Sequence, residues 1–288
     1  MRYHVADIGG SHITCAIAEV TPSGAKILER VTVDVDSHDS ADNIMDAWAA
    51  ACRQLPGATA WTLAMPDPFD YETGLALFEG VGKFENLYNV NVRDGLTSRL
   101  DIEPSRIKFI HDATAYAIGE WAFGKLAGAH RMIVLTLGTG VGSGFLVDGV
   151  PVKSGPNVVK NGTIHLDTID GRPLEDVVST RAITAKYRDL TGSHASVEQI
   201  AQLVRNGEAE ARAVFNEAVE KLGGAMAHWV EVFEAEALVL GGSIAKSWDI
   251  IETPFKAGLG LKVNGLALQP ATLFDDAPLM GAVYRTDH

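Results

Sequence analysis

The sequence predicts an α/β protein, with a sheet covered by helices on both faces, and three observations carry that prediction. Short apolar runs of strand character alternate with longer segments of helical periodicity. Glycine clusters stand where strands end. A layout of strand, glycine turn and strand occurs twice, about 130 residues apart, which points to a duplicated architecture.

In chain order, Val5-Ala6-Asp7-Ile8 runs into Gly9-Gly10-Ser11 and on into a second strand, His12 to Val20, with a turn at Pro22-Ser23-Gly24. Helical spacing covers Ala41 to Gln54. Phe109-Ile110-His111 reads as a strand end leading into a helix from Ala113 to Leu126. Met132 to Leu137, the run Gly138 to Gly144, Phe145-Leu146-Val147 and a turn at Asp148-Gly149 repeat the opening layout. Further helices are expected at Leu174 to Leu190, at Ser196 to Arg205, where Ser196 and Gln199 have capping-box spacing, and at Glu208 to Phe233. The apolar strand Ala237-Leu238-Val239-Leu240 then ends in Gly241-Gly242-Ser243 and opens a helix from Ile244 to Phe255. No low-complexity linker separates the halves, so tight crossings are expected near Phe109 and near the C-terminus.

Composition narrows the function. With 288 residues, 47% hydrophobic and 21% charged, the chain buries a large core. Lys plus Arg come to 24 and Asp plus Glu to 37, a net charge of −13 that repels a phosphate backbone and excludes nucleic acid as an expected partner. Two cysteines, Cys15 and Cys52, make neither a disulfide framework nor a multi-cysteine zinc site, and they fit a reducing, cytoplasmic setting. The N-terminus lacks an apolar signal region, and no stretch reaches the roughly 18 apolar residues of a membrane span.

Candidate chemistry sits at the glycine turns. In Asp7-Ile8-Gly9-Gly10-Ser11 the backbone can approach a ligand closely and offer N–H groups to an anion, phosphate being the natural one, although a hairpin turn alone also explains the glycines. Gly138-Thr139-Gly140-Val141-Gly142-Ser143-Gly144 exceeds what a hairpin requires, and Thr139 adds a hydroxyl donor. It is neither a dinucleotide-binding fingerprint, since a strand follows, nor a P-loop, since the chain has no Gly-Lys-Ser/Thr ending. Asp112 at a helix start is an N-cap or a carboxylate whose charged form the helix dipole favours, and so a proton acceptor. His165 and Glu175 flank the turn Asp170-Gly171-Arg172-Pro173, as solvated or packed residues or as ligands.

Taken in order, Asp7-Ile8-Gly9-Gly10-Ser11, His111-Asp112-Ala113, the run Gly138 to Gly144 and Leu238-Val239-Leu240-Gly241-Gly242-Ser243 resemble the phosphate, catalytic, second phosphate and adenosine motifs of the ROK family of sugar kinases. The resemblance implies the two-domain actin-like ATPase (ribonuclease H-like) fold, with a duplicated βββαβαβα core and an interdomain cleft. Residues 1–110 would form the N-terminal α/β domain, completed by a C-terminal helix 277–288, and residues 111–276 the larger C-terminal α/β domain. It further implies Asp112 as general base toward a sugar hydroxyl and Asp7 as a carboxylate holding Mg2+ through water. Gly9, Gly10, Ser11, Gly138, Thr139 and Gly140 would surround the phosphates of ATP, and Gly241 and Gly242 would face adenosine. Pro66, in Ala64-Met65-Pro66-Asp67-Pro68, would lie beside the sugar, with His111, Asp112, His165 and Glu175 as its ligands. A homodimer is implied as well.

The chain departs from the family pattern at three places. His111 replaces an Asn, Gly162 in Asn161-Gly162-Thr163-Ile164-His165 replaces a Glu, and Asp167 to Leu174 replaces a zinc-binding cysteine cluster. The last feature resembles zinc-free glucokinases, including those that accept polyphosphate. The expected activity is therefore an ATP- and Mg2+-dependent 6-kinase acting on glucose or a glucose-like sugar, an amino sugar being motivated by His111 and Gly162. The rivals are a polyphosphate-using glucokinase or mannokinase and a non-catalytic sugar-binding regulator. Regulators of this family carry an N-terminal helix-turn-helix, whereas here the phosphate motif begins at residue 7.

Overall fold

In the computed structural model, residues 1–21, 24–260 and 265–287 are described. Pro22 and Ser23 of the expected turn and His288 of the expected last helix lie outside the described residues. The chain divides into two compact units, Met1–Gly119 with Asp275–His288, and Glu120–Phe274.

The first unit contains β1 (Arg2–Ile8), β2 (His12–Thr21), β3 (Gly24–Asp34), α1 (Ala41–Arg53), β4 (Trp61–Met65), the short hairpin β5 (Phe69–Asp70) and β6 (Leu75–Ala76), α2 (Val92–Leu100), β7 (Ile107–His111) and α3 (Asp112–Phe123). Its sheet runs β3-β2-β1-β4-β7, with an antiparallel meander at one side and parallel strands at the other. The second unit contains β8 (Arg131–Leu137), β9 (Val141–Val147), β10 (Val150–Pro151), β11 (Thr168–Ile169), β12 (Arg172–Pro173), α4 (Glu175–Val178), α5 (Thr180–Thr191), α6 (Val197–Arg205), α7 (Ala209–Val232), β13 (Ala237–Gly241), α8 (Gly242–Ala245), α9 (Trp248–Leu259) and β14 (Ala267–Pro270). Its sheet runs β10-β9-β8-β13-β14, with the same sequence of antiparallel and parallel pairings. The duplicated layout is thus a duplicated sheet.

Alternation along the strands explains how the first sheet is covered. Ala6, Ile8, Ile13, Cys15 and Ile17 join Trp48 and Met45 of α1 and Phe78 and Phe84 in one core. Val5, Ala16, Ala18 and Ala64, one residue out of phase, are buried on the opposite face. These small residues accommodate α10 (Ala277–Asp287), which packs on β1, β2 and β4.

Helix ends follow local chemistry. Ser40 caps α1 by accepting from the Asn43 N–H, and Ser196 and Gln199 form both halves of the expected capping box on α6. The helix expected over Leu174 to Leu190 is two helices. Ser179 interrupts it in an extended conformation and caps α5 through the Ala182 N–H. The helix expected from Ile244 to Phe255 is likewise split, α8 ending at Ala245 and α9 starting at Trp248. The chain passes between units at Gly119–Glu120 and Phe274–Asp275, rather than at 110/111 and 276/277. The shift arises because α3 stays with the first unit, where it crosses α10 at glycines. A methyl group on Gly119 would collide with the Ala277 carbonyl, and one on Gly281 with the Ala115 carbonyl. Beyond α3 the buried Glu120 carboxylate accepts from the Thr272 and Leu273 N–H groups, at 2.6 to 3.0 Å.

The crossing predicts that Gly281→Ala destabilises the protein by about 1–3 kcal/mol, the range for forcing extra volume into a packed contact. A lower urea midpoint at unchanged slope would show it. An unchanged midpoint would mean that the two helices are free to separate.

Candidate active site

In the first unit, three parallel strands deliver their carboxyl ends to one edge of the sheet. Asp7 pairs in register with Ala64, and Met65 with His111. The chain therefore leaves the sheet at Gly9, at Pro66 and at Asp112 in neighbouring positions, the edge where open α/β sheets place ligands. At the first exit the Gly9 N–H donates to the His12 carbonyl at 2.9 Å, which leaves Gly10 and Ser11 exposed at the tip of a tight turn.

Asp112 opens α3, and its Oδ1 accepts from the Ala113 N–H at 2.6 Å. The side chain keeps 39% of its surface accessible. Burial raises its pKa, against the opposing pull of His111, the Ala113 amide and Lys83. Asp7 is pushed up to about 7, by burial first and then by the Asp112 and Asp275 carboxylates, with Lys83 acting the other way.

Side chains absent from the expected site complete this group. His111 Nε2 lies 3.2 Å from Asp67 Oδ2 and 3.2 Å from Asp112 Oδ1. Facing two carboxylates, which only accept when ionised, Nε2 carries the hydrogen. The other ring nitrogen is 3.0 Å from the Thr114 hydroxyl. Tyr71 donates to Asp67 Oδ1 at 2.7 Å, and its ring meets that of His111 edge-on at 6.0 Å. Burial and the Asp67 charge drive the Tyr71 pKa upward, so it remains a phenol and a donor. The result is a polar chain from Tyr71 through Asp67 and His111 to Asp112. Pro66 is buried beneath it, whereas Asp67 is exposed.

In the second unit, Gly138 closes a turn by donating to the Gly140 carbonyl at 3.0 Å, with Thr139 exposed at its tip. The Gly241 motif is brought beside it. Gly241 pairs with Thr136, and Gly242, at φ +81°, lies so close to the Leu137 backbone that a side chain would collide with it. Glu175, expected at the sugar, meets the glycine run, where its Oε2 accepts from the Val141 N–H at 3.2 Å. Ser143 donates to the Gly162 carbonyl at 2.6 Å and accepts from the Ile164 N–H at 2.9 Å. His165, half-buried, sits in the single turn Ile164–Leu166, which packs on β9. The expected sugar ligands are thus divided between the units, with Pro66, His111 and Asp112 in the first and His165 and Glu175 in the second. Among the described residues, no group of three or more His, Cys, Asp or Glu side chains is placed to hold a metal ion, and no helix is long and apolar enough to cross a membrane.

The Asp7 shift has a consequence for stability. The folded pKa of about 7 lies above the ordinary 3.8, so between these values the folded state binds a proton that the unfolded state has lost. Stability therefore declines as pH rises through that window. In ligand-free protein, Asp7→Asn is expected to be the more stable by about 1–3 kcal/mol at pH 8, the gap closing toward pH 4. Urea unfolding at the two pH values checks this, and a gap of equal size at both would contradict it.

Comparison with known proteins finds relatives along most of the chain. A glucokinase of Thermotoga maritima is 25% identical over 306 residues, covering 96% of this chain and 94% of that one. An N-acetyl-D-glucosamine kinase of Haemophilus influenzae is 24% identical over 266 residues, with 84% of each chain covered. The crystal structure of a ROK family glucokinase from Streptomyces griseus, in complex with glucose and AMPPNP, superposes with a TM-score of 0.76 at 22% identity over 99% of both chains. That likeness establishes the actin-like ATPase fold. The ROK family model matches residues 3–286, from the first strand through the last helix, and the chain belongs to the ROK family.

Proposed function

We propose that this protein is an ATP- and Mg2+-dependent hexose kinase that phosphorylates the 6-hydroxyl of glucose or a glucose-like sugar. The observation that carries the reading is Asp112, an accessible carboxylate with a raised pKa at the start of a helix, fixed by the Ala113 amide and by His111. Such a carboxylate suits a general base, because its proton affinity is raised toward working pH. As the sugar oxygen attacks the γ-phosphorus, the hydroxyl proton passes to Asp112, the new O–P bond forms and the bond to the ADP oxygen breaks. The glycine turns at Gly9–Ser11 and Gly138–Gly140 supply N–H groups to the phosphates, and Gly241 and Gly242 offer bare backbone to adenosine. Asp112 supports the kinase class, and the sugar and nucleotide relatives support the choice of substrates.

The residues fit a divalent cation in a limited way. Asp7 bears the repulsion of Asp112 and Asp275, which a cation would offset, and carboxylate oxygens suit Mg2+. Asp7 would hold it through water, the remaining positions falling to water and phosphate, and the bound ion would neutralise charge on the transferring group. On the same reading the protein is cytoplasmic and homodimeric.

An amino sugar is the favoured variation on glucose. Asp67 is 44% exposed beside His111, and an ammonium group is a natural partner for its carboxylate. ATP is favoured over polyphosphate because the chain lacks a run of Lys and Arg to match a long polyanion.

The test is ADP release from Mg-ATP across glucose, mannose, fructose, allose and their 2-amino, 3-amino and N-acetyl forms. Asp112→Ala is expected to lower kcat by about 10²–10⁴-fold. His111→Asn is expected to shift relative kcat/KM from amino sugar toward glucose, and an unchanged ranking would remove the amino-sugar reading. Silence across the panel, with sugar binding retained, would favour a polyphosphate donor or a sugar-binding regulator.

A further inference from the structure

Lys83 lies outside every motif of the sequence yet reaches the centre of the first unit's site. Its flanks are fixed. The Gly82 N–H donates to Glu85 Oε1 at 2.9 Å, and Phe84, fully buried at φ +56°, donates its N–H to the Ser37 carbonyl at 2.9 Å. From this anchored backbone the half-buried side chain passes over the Gly9–Gly10 turn, where a methyl group on Gly10 would lie 3.4 Å from Lys83 Cδ. The ammonium is close enough to both Asp7 and Asp112 to draw their pKa values down. Even so, among the described residues it forms no ion pair within 4.0 Å and no side-chain hydrogen bond.

A cation in this position has a definable task. The exposed turn at Gly9–Gly10 is the proposed seat of nucleotide phosphate, and Asp112 is the proposed base. Lys83 stands by the first and acts electrostatically on the second, so its ammonium belongs to the region that the transferred phosphoryl group crosses. Fixed flanks with an uncommitted head are the properties of a group that waits for an anion, since little reorganisation accompanies its arrival. The surrounding carboxylates Asp7, Asp67 and Asp112 would otherwise repel the oxygens of that group.

We infer that Lys83 is a further catalytic residue, its ammonium contacting the γ-phosphoryl oxygens as phosphate moves from nucleotide to sugar. The inference rests on the kinase reading above. Lys83 neither gives nor takes a proton in the step. The sugar hydroxyl proton goes to Asp112, the sugar O–P bond forms, the bond between γ-phosphorus and the ADP oxygen breaks with its electron pair leaving on ADP, and Lys83 stays cationic throughout.

The experiment compares the parent with Lys83→Met and Lys83→Arg in steady-state kinetics and in calorimetric titration with Mg-AMPPNP and, separately, with the best sugar of the panel. Lys83→Met is expected to lower kcat about 100-fold, the lower end for loss of one transition-state donor, and to weaken Mg-AMPPNP about tenfold. Sugar affinity should stay within about threefold, which a merely structural role would not preserve. Lys83→Arg keeps the charge and should recover at least tenfold of the lost kcat, and a matching urea midpoint confirms that each variant is folded. A kcat within threefold of the parent, or a loss confined to the sugar KM, would overturn the inference. If the parent itself releases no ADP with any sugar, the kinase reading falls. The titration still decides Lys83 in that case, because equal Mg-AMPPNP affinity in parent and Lys83→Met, or binding by neither, overturns it.

Discussion

The site depends first on strand register. Val5, Ala6 and Asp7 pair with Thr62, Leu63 and Ala64, and β4 continues against β7 until Met65 meets His111. Side chains alternate between the two faces of a strand, so a slip of one residue in either pairing would send His111 to the wrong face or move the Pro66–Asp67 exit away from Asp112. What holds the register is the burial of both faces. Ala6, Ile8 and Leu63 lie in the α1 core, and Val5 and Ala64 lie opposite, where bulkier residues would not suit the close approach of α10. Packing far from the chemistry thereby fixes a carboxylate, an imidazole and a second carboxylate to within hydrogen-bond distance.

Concentrating carboxylates in this way carries an electrostatic cost, and the structure shows where it falls. Asp112 is relieved by the Ala113 N–H and by His111, and Asp67 by Tyr71 and His111. Asp7 is buried and also left with like charges on two sides, so burial first and those charges second raise its proton affinity. Between its ordinary 3.8 and about 7 the folded protein holds a proton on Asp7 that the unfolded chain has lost, so this residue couples the stability of the strand edge to pH.

Much of this was legible in the sequence, for reasons that are local. The glycine turns announce themselves by composition, the duplicated layout by repetition, and the capping box on α6 by spacing. Asp112 was legible as a helix-start carboxylate, either an N-cap or a proton acceptor, and only the order of the motifs favoured the second. Long-range contacts were not. Asp67 stood within a loop already singled out, but nothing local told that its carboxylate meets His111, since that contact is made by the pairing of β4 with β7. Tyr71 and Lys83 arrive from separate loops and carry no periodicity of their own. Ser179 was read as one more residue in a helix, although its hydroxyl competes for backbone N–H groups and caps better than it continues. Glu175 had a role implied by resemblance, and its hydrogen bond to the glycine run is a further long-range contact that nothing local announces.

Two of the three departures from the family pattern, Gly162 and His111, are built into their surroundings, and this bears on what they mean. Gly162 adopts φ +71°, where an L side chain is strained, and a methyl group there would approach the Val152 carbonyl to 3.2 Å. Its own carbonyl also accepts from Ser143, which in turn holds the Ile164 amide ahead of His165. Restoring a glutamate at this position would therefore require the turn to be rebuilt. His111 is similarly embedded, since Thr114 takes one ring nitrogen and Asp67 and Asp112 share the other. An asparagine is too short to satisfy all three partners from the same backbone position. Isolated drift at a binding residue leaves its neighbours unadjusted, whereas here each change has a set of partners that fits it. Each departure is therefore tied to a hydrogen-bond set inside its own unit, His111 in the first and Gly162 in the second, so reverting either one would disturb the groups that hold it.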